Sequence, residues 1–137
     1  MIKYNENKLS GISLTGKLNK ETLIALIEKL PVDITFVDKD DKIRYYNKST
    51  IFQHDPSEIG TKVQDCHSKK THKKLNQMLD DFRNNRDDFV EYWKDKGNKK
   101  ILTRYLAVRD KSGRYLGCLE VDQDIAEIQK MKGEKRL

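Results

Sequence analysis

Cys66, His67 and His72 lie close together in the stretch VQDCHSKKTHKKL, residues 63–75. Thiolates and imidazoles bind zinc, and a neutral imidazole serves as an axial haem ligand. A cysteine beside a histidine and a basic helix start can have a lowered pKa. Spacing separates these chemistries. Residues five or six apart on a helix point in different directions, because facing pairs are three or four apart. Even with His54 added there is no CxxC and no HxxxH, so no metal site is expected. Cysteine–histidine catalysis also needs an oriented third group and an oxyanion site, which adjacent residues do not build, so the chain is not expected to be an enzyme. What remains for Cys66 is an inert or weakly redox-active thiol, or a neighbour of a bound ligand. His67 is left either as a direct ligand contact or as a hydrogen-bonded loop residue at a helix start. His72 precedes Leu75 by three and Leu79 by seven, so it borders an apolar stripe, as a ligand contact or as a satisfied, partly buried histidine.

A second group of candidates lies in KKILTRYLAVRD (99–110). Strand alternation puts Ile101, Thr103, Tyr105 and Ala107 on one face and Leu102, Arg104, Leu106 and Val108 on the other. Arg104 is the charged member of an apolar row, and such a residue is usually paired or binds an anion. It therefore reads as a contact for an anionic ligand, such as a small carboxylate, as an ion pair with Glu91, Glu120 or another acid, or as an outward-facing arginine. Trp93 and Tyr105 line a pocket or cover the outer face of the sheet. Cys118, within the last strand, reads as core or sheet surface.

The elements that must position these residues follow from periodicity and turn chemistry. Residues 1–18 read as a flexible lead-in, with Gly11 and Gly16. Asn19 can cap a helix over 19–30 whose Leu23, Leu26, Ile27 and Leu30 form one apolar stripe. Pro31 stops it. DITFVD (33–38) and KIRYYN (42–47) read as a hairpin across DKDD. HDPSEIG (54–60) reads as a short helical turn ended by Gly60. Leu75, Met78, Leu79 and Phe82 form a helical stripe from about Lys69 to Arg83. FVEYWKD, KKILTRYLAVRD and YLGCLEVDQD then read as three strands joined at KGN and KSG. IAEIQKMKGEKRL reads as the start of a further helix in a C-terminal tail, 126–137. Strands on either side of a helical insert imply an α+β domain, one antiparallel sheet with helices on one face. A cavity between the two layers is a usual place for a small ligand.

Bulk properties exclude several classes. With 137 residues, 36% charged and 36% hydrophobic, the chain is a globular domain. No apolar run approaches the roughly 20 residues that span a bilayer, MIKYNENKLS has no apolar signal core, and two cysteines make no disulfide framework. These features point to a cytoplasmic protein with no membrane partner. The net charge is +6, but acidic residues interleave almost everywhere. Lys69, Lys70, Lys73 and Lys74 read as a solvated helix face, and nucleic acid is not the expected partner.

Several quoted stretches occur in an order that resembles a PAS domain over about residues 31–125. LPVDITFVDKDDKIRYYN resembles the opening hairpin, and RYLAVRDKSGRYLGCLEVDQDIAE resembles the closing one. LPVDITFVD, IG-x-x-V-x-x-CH, EYW, RYLAVRD, LGCLEVDQDI and the final GEKRL are most similar to a bacterial and archaeal subgroup that often follows a hemerythrin-like domain. That subgroup places two prolines after the cysteine–histidine pair, where this chain has Ser68 and Lys69. The resemblance implies a PAS fold, a five-stranded antiparallel sheet with helices on one face and an added N-terminal helix. It implies a non-catalytic sensor that binds a small molecule, with His67 at the entrance to the helical insert that borders the pocket. Some members bind haem, which would make His67 the axial ligand; others form ligand-free interaction scaffolds. VQDCHSKK lacks the asparagine-cysteine-arginine-phenylalanine core of the blue-light flavin branch. A homodimer through Leu23, Leu26, Ile27 and Leu30 is expected, with a signalling domain upstream or on a separate protein.

Overall fold

The computed structural model describes residues 16–48 and 50–137. The chain divides into two units, Met1–Pro31 and Val32–Leu137. In the first, helix α1 spans Lys20–Lys29. Asn19 caps it, its side-chain oxygen accepting from the Thr22 N–H at 2.7 Å. The chain leaves helical geometry at Leu30, as expected of a residue before proline. No residue of α1 is buried, and Leu26 and Leu30 are exposed. Nearly all of the expected lead-in, 1–18, lies outside the described residues.

The second unit is a five-stranded antiparallel sheet with one long helix. The strands are β1 (Asp33–Asp38), β2 (Ile43–Tyr46), β3 (Phe89–Lys96), β4 (Lys99–Arg109) and β5 (Tyr115–Asp124). Their order is β2-β1-β5-β4-β3, so the first hairpin adds, through β1, to the last strand of the later meander. Helix α2 spans Lys69–Arg83, the span that its apolar period predicts.

Turn chemistry fixes the joints. Between β1 and β2 the Asp38 carboxylate accepts from the N–H groups of Asp40 and Lys42, at 2.9 and 3.0 Å. Between β4 and β5 the Asp110 carboxylate accepts from the N–H groups of Ser112 and Arg114, at 3.0 and 2.9 Å. These bonds hold the Asp110 carboxyl below its usual range. α2 ends where Asn85 turns into left-handed geometry, with φ 57°. Beyond β5 the expected helix does not form. Only a 3-10 turn at Ile128–Lys130 appears, because a short helix needs an apolar face to pack, and Gly133 soon breaks the run with φ 63°.

The core lies on one face of the sheet. Leu75, Met78, Leu79 and Phe82 of α2 are buried against Val37, Ile43, Val63, Tyr105, Tyr115 and Cys118. The i, i+3, i+4, i+7 stripe of α2 meets the inward half of each strand's alternation. Asp33, Thr35, Thr103 and Asp122 are also buried on this face, which makes part of it polar. Buried polar groups must be paired, and their pairing builds the site.

Candidate functional site

A cavity of about 30 Å³ lies between α2, the inward sheet face and the segment 54–67. Its apolar wall is Val37, Ile43, Val63, Leu75, Met78 and Leu79. Its polar wall is Thr35, His54, Cys66, His67, Tyr105 and Glu120, and Cys118 closes the floor. Among the described residues no lysine or arginine lines it.

Segment 54–67 is held by short turns. The Asp55 side chain caps a 3-10 turn at Pro56–Glu58, Gly60 takes a φ of 86°, and a second 3-10 turn spans Val63–Cys66. His67 follows as its C-cap, so the opening VQDC stretch is a separate turn ahead of α2. His67 Nδ1 lies 3.0 Å from the Val63 carbonyl. A carbonyl only accepts, so Nδ1 carries the hydrogen and Nε2 of the neutral ring is an acceptor. His72 Nε2–H donates to the His67 carbonyl at 2.9 Å, which holds the residue in place. His54 Nδ1 is 2.7 Å from Glu58 Oε2, its Nε2 is 3.5 Å from Thr35 Oγ1, and its ring lies 5.0 Å from that of Tyr46.

The segment before His54 is anchored through Asp33. Its buried carboxylate accepts from the N–H groups of Thr50 and Ile51 at 2.9 and 2.7 Å, and from the Thr50 hydroxyl at 2.8 Å. Asp33→Ala leaves these donors to water and frees the loop that carries His54. The expected cost is about 1–3 kcal/mol in urea denaturation, with exchange broadening of the His54 ring resonances. Sharp, unshifted His54 resonances would contradict this anchoring.

A polar ladder runs across the sheet beside the cavity. Tyr105 faces Glu120 across β4 and β5 and its ring lies 6.1 Å from that of Tyr92, and burial together with the Glu120 charge pushes its phenol far above the ordinary tyrosine range. Glu120 lies beside Asp122 on the same face of β5, and the Thr103 hydroxyl donates to Asp122 at 2.6 Å. Burial first, and then the Glu120 carboxylate, push Asp122 up to about 8. Both causes favour the protonated form of Asp122 beside the Glu120 carboxylate. Register explains the ladder: Tyr105 faces Glu120 and Thr103 faces Asp122 across β4 and β5.

Of the residues singled out from sequence, His67, Cys66 and Tyr105 line the cavity. His72 does not line it and serves to hold His67. Arg104 and Trp93 lie on the opposite face of the sheet. Arg104 Nε is 3.6 Å from Glu91 Oε2, both partly exposed, and Trp93 is 62% exposed. An outward-facing arginine in an ion pair with Glu91 is what the structure contains, and an anionic ligand loses the residue that suggested it. Leu23, Leu26, Ile27 and Leu30 belong to the other unit. The basic helix start does not lower the Cys66 pKa. Burial raises it, and nearby Glu58, Asp65 and Glu120 add to the rise. Burial likewise pushes Cys118 up to about 12. Neither thiol is poised as a thiolate.

His54, Thr35, Glu120 and Asp122 were not singled out as ligand contacts. The signal for the last two was period two. Cys118, Glu120 and Asp122 share one face of β5, so a core cysteine predicts inward carboxylates. Among the described residues no group of three histidine, cysteine or acidic side chains could hold a metal ion. Haem does not fit in this conformation. The cavity has room for about one or two waters, not for a macrocycle beside His67.

The family described as "PAS domain" has a model that matches residues 23–126. Comparison with curated proteins gives no match. A crystal structure of a C-terminal domain from Streptococcus mutans is 34% identical, with a TM-score of 0.80, covering 86% of this chain and 93% of that one. The PAS domain of a protein from Colwellia psychrerythraea is 15% identical, with a TM-score of 0.58, covering 78% and 97%. A sensory box sensor histidine kinase from Vibrio cholerae is 11% identical, with a TM-score of 0.54, covering 88% and 97%. The last two show a shared fold. No helix among the described residues is long and apolar enough to cross a membrane.

Proposed function

This chain belongs to the PAS domain family, and on that premise we propose that it senses a small molecule that donates hydrogen bonds, such as an amine or an alcohol. The observation that carries this reading is the cavity wall. One side is apolar, and the other carries Glu120 and His67, whose Nδ1 is taken by the Val63 carbonyl, and among the described residues no lysine or arginine lines either side. Such a wall favours an uncharged or positively charged ligand over a carboxylate. Met78 is unbranched and adaptable, so the pocket can widen around a ligand larger than its present volume.

The mechanism is population shift. A ligand that binds one arrangement of the Tyr105–Glu120–Asp122 ladder better biases the domain toward it. The apolar stripe of α1 supports a role for Leu23, Leu26, Ile27 and Leu30 in passing that bias to a second protomer or a signalling domain. The LPVDITFVD and LGCLEVDQDI motifs support placing the chain in the hemerythrin-associated subgroup, with the receiving domain upstream or on a separate protein.

A thermal-shift screen of small amines and alcohols tests the ligand class. A ligand that raises the wild-type melting temperature should bind His67→Ala and Glu120→Gln at least about tenfold more weakly, the usual loss of a charge-assisted hydrogen bond. Cys118→Val adds a methyl group to the cavity floor on a strand that favours branched residues, and should block binding while the domain stays folded. Equal affinity in all four proteins would rule this site out. The small cavity volume favours one second reading, a ligand-free interaction scaffold. That reading predicts no stabilising ligand and no loss of partner binding in Cys118→Val.

A further inference from the structure

The two edges of the sheet are treated differently. The outer edge of β2 is covered: Ile43 N–H donates to the Thr61 carbonyl at 3.0 Å, and Gly60 N–H to the Ile43 carbonyl at 2.7 Å. β3 is the other edge, and among the described residues no strand pairs on its outer side. The Ala107 N–H donates to the Asp88 carbonyl at 3.0 Å, which sets the phase of the β3–β4 ladder. Val90, Tyr92, Lys94 and Lys96 then exchange backbone bonds with β4, and the residues between them turn their backbone groups outward. Asp87 Oδ1 takes the Phe89 N–H at 3.3 Å, so the N–H and C=O groups of Glu91 and Trp93 form the centre of the open edge. Around them Phe89, Tyr92 and Trp93 are exposed. A long exposed edge with aromatic residues pairs readily with another strand.

We infer that this edge receives β3 of a second copy of the chain, antiparallel, with Tyr92 facing Tyr92 across the two-fold axis. Charge selects the occupant. From Asp87 to Lys96 the charge runs from acidic, with Asp87, Asp88 and Glu91, to basic, with Lys94 and Lys96 around Asp95; within one chain Asp88 also meets Arg109 at 3.0 Å and Lys96 Nζ the Ile51 carbonyl at 2.9 Å. An antiparallel copy brings each acidic end to the other's basic end. Charge also selects the register. With Tyr92 on the axis, Asp88 faces Lys96, Val90 faces Lys94 and Glu91 faces Trp93. One step in one direction sets Glu91 against Glu91, and one step in the other sets Glu91 against Asp95. Directly opposed like charges are destabilising. In the chosen register Glu91 and Trp93 exchange both backbone bonds with the second copy's Trp93 and Glu91, and the two sheets become one.

Sedimentation velocity of the full chain over a concentration series tests this. The wild type should dimerise. Trp93→Pro removes an outward N–H without touching the β4 ladder and should raise the dimer dissociation constant at least about tenfold. Asp88→Lys should do the same, and Asp88→Lys combined with Lys96→Asp should restore the dimer, since each copy then offers the reversed pair. A wild type monomeric throughout would overturn the inference. So would a double variant that stays as weak as Asp88→Lys. A dimer lost in Leu26→Asp and unchanged in Trp93→Pro would put the contact on α1 and overturn it as well.

Discussion

Asp122→Asn should make the domain more stable at pH 8 and remove much of the pH dependence of folding. The Asp122 carboxyl is buried beside Glu120 and its pKa is raised. The folded state therefore keeps a proton that the unfolded chain releases in the ordinary aspartate range, near pH 4. The contribution of this group to stability is fully present below that range. It falls as pH rises toward the folded value of about 8, by up to about 1.4 kcal/mol per pH unit. Asparagine has nothing to release. Its carbonyl accepts from Thr103 as the acid does, and its amide, like the protonated acid, carries no charge beside Glu120. Urea denaturation from pH 5 to pH 8 should show a falling wild-type stability and a flatter variant. The gap should reach a few kcal/mol at the alkaline end. A variant weaker than the wild type at pH 8 would mean that Asp122 is ionised in the fold.

Gly117→Ala should be the most damaging single-methyl substitution in the sheet. β5 carries an extra residue here: Val108 faces Gly117 but Arg109 faces Tyr115, so the strand bulges at Leu116. Gly117 takes a φ of 155°, and a Cβ there would sit 2.2 Å from the Val37 carbonyl and 2.7 Å from the Phe36 ring. The carbonyl belongs to the β1–β5 ladder and cannot move without breaking the pairing. Strain and overpacking together should cost at least about 3 kcal/mol, with a lower melting temperature and loss of amide protection in β1. A loss under 1 kcal/mol would mean that this close approach is not a feature of the fold in solution.

Much of this fold is legible in the chain. β1 to β5 and α2 fall where alternation, helical period and turn residues predict, because local preference and tertiary packing agree in those segments. The C-terminal stretch fails because its apolar residues find no layer to cover. The glycine in YLGCLEVDQD is a readable sign of a bulge or a close backbone approach, but only the register shows that the backbone it approaches is that of Val37. The site is less legible than the fold. His67 and Cys66 attract attention as reactive types close together, and they do line the cavity. Arg104 attracts attention as a charge among apolar residues, yet that row is the outer face. Alternation separates two faces without saying which is buried. Tyr105 and Cys118, on the other face, point inward, and Glu120, which shares the Cys118 face, lines the cavity with them.

The most direct test of the sensory reading is the mass of the purified protein under native and denaturing conditions. A native-state excess of a small molecule, lost in His67→Ala and Glu120→Gln and carrying an amine or hydroxyl, is the expected result. No excess in any preparation, with no stabilising compound in the screen, would contradict a ligand sensor and leave an assembly domain. An excess matching haem would contradict the proposed ligand class.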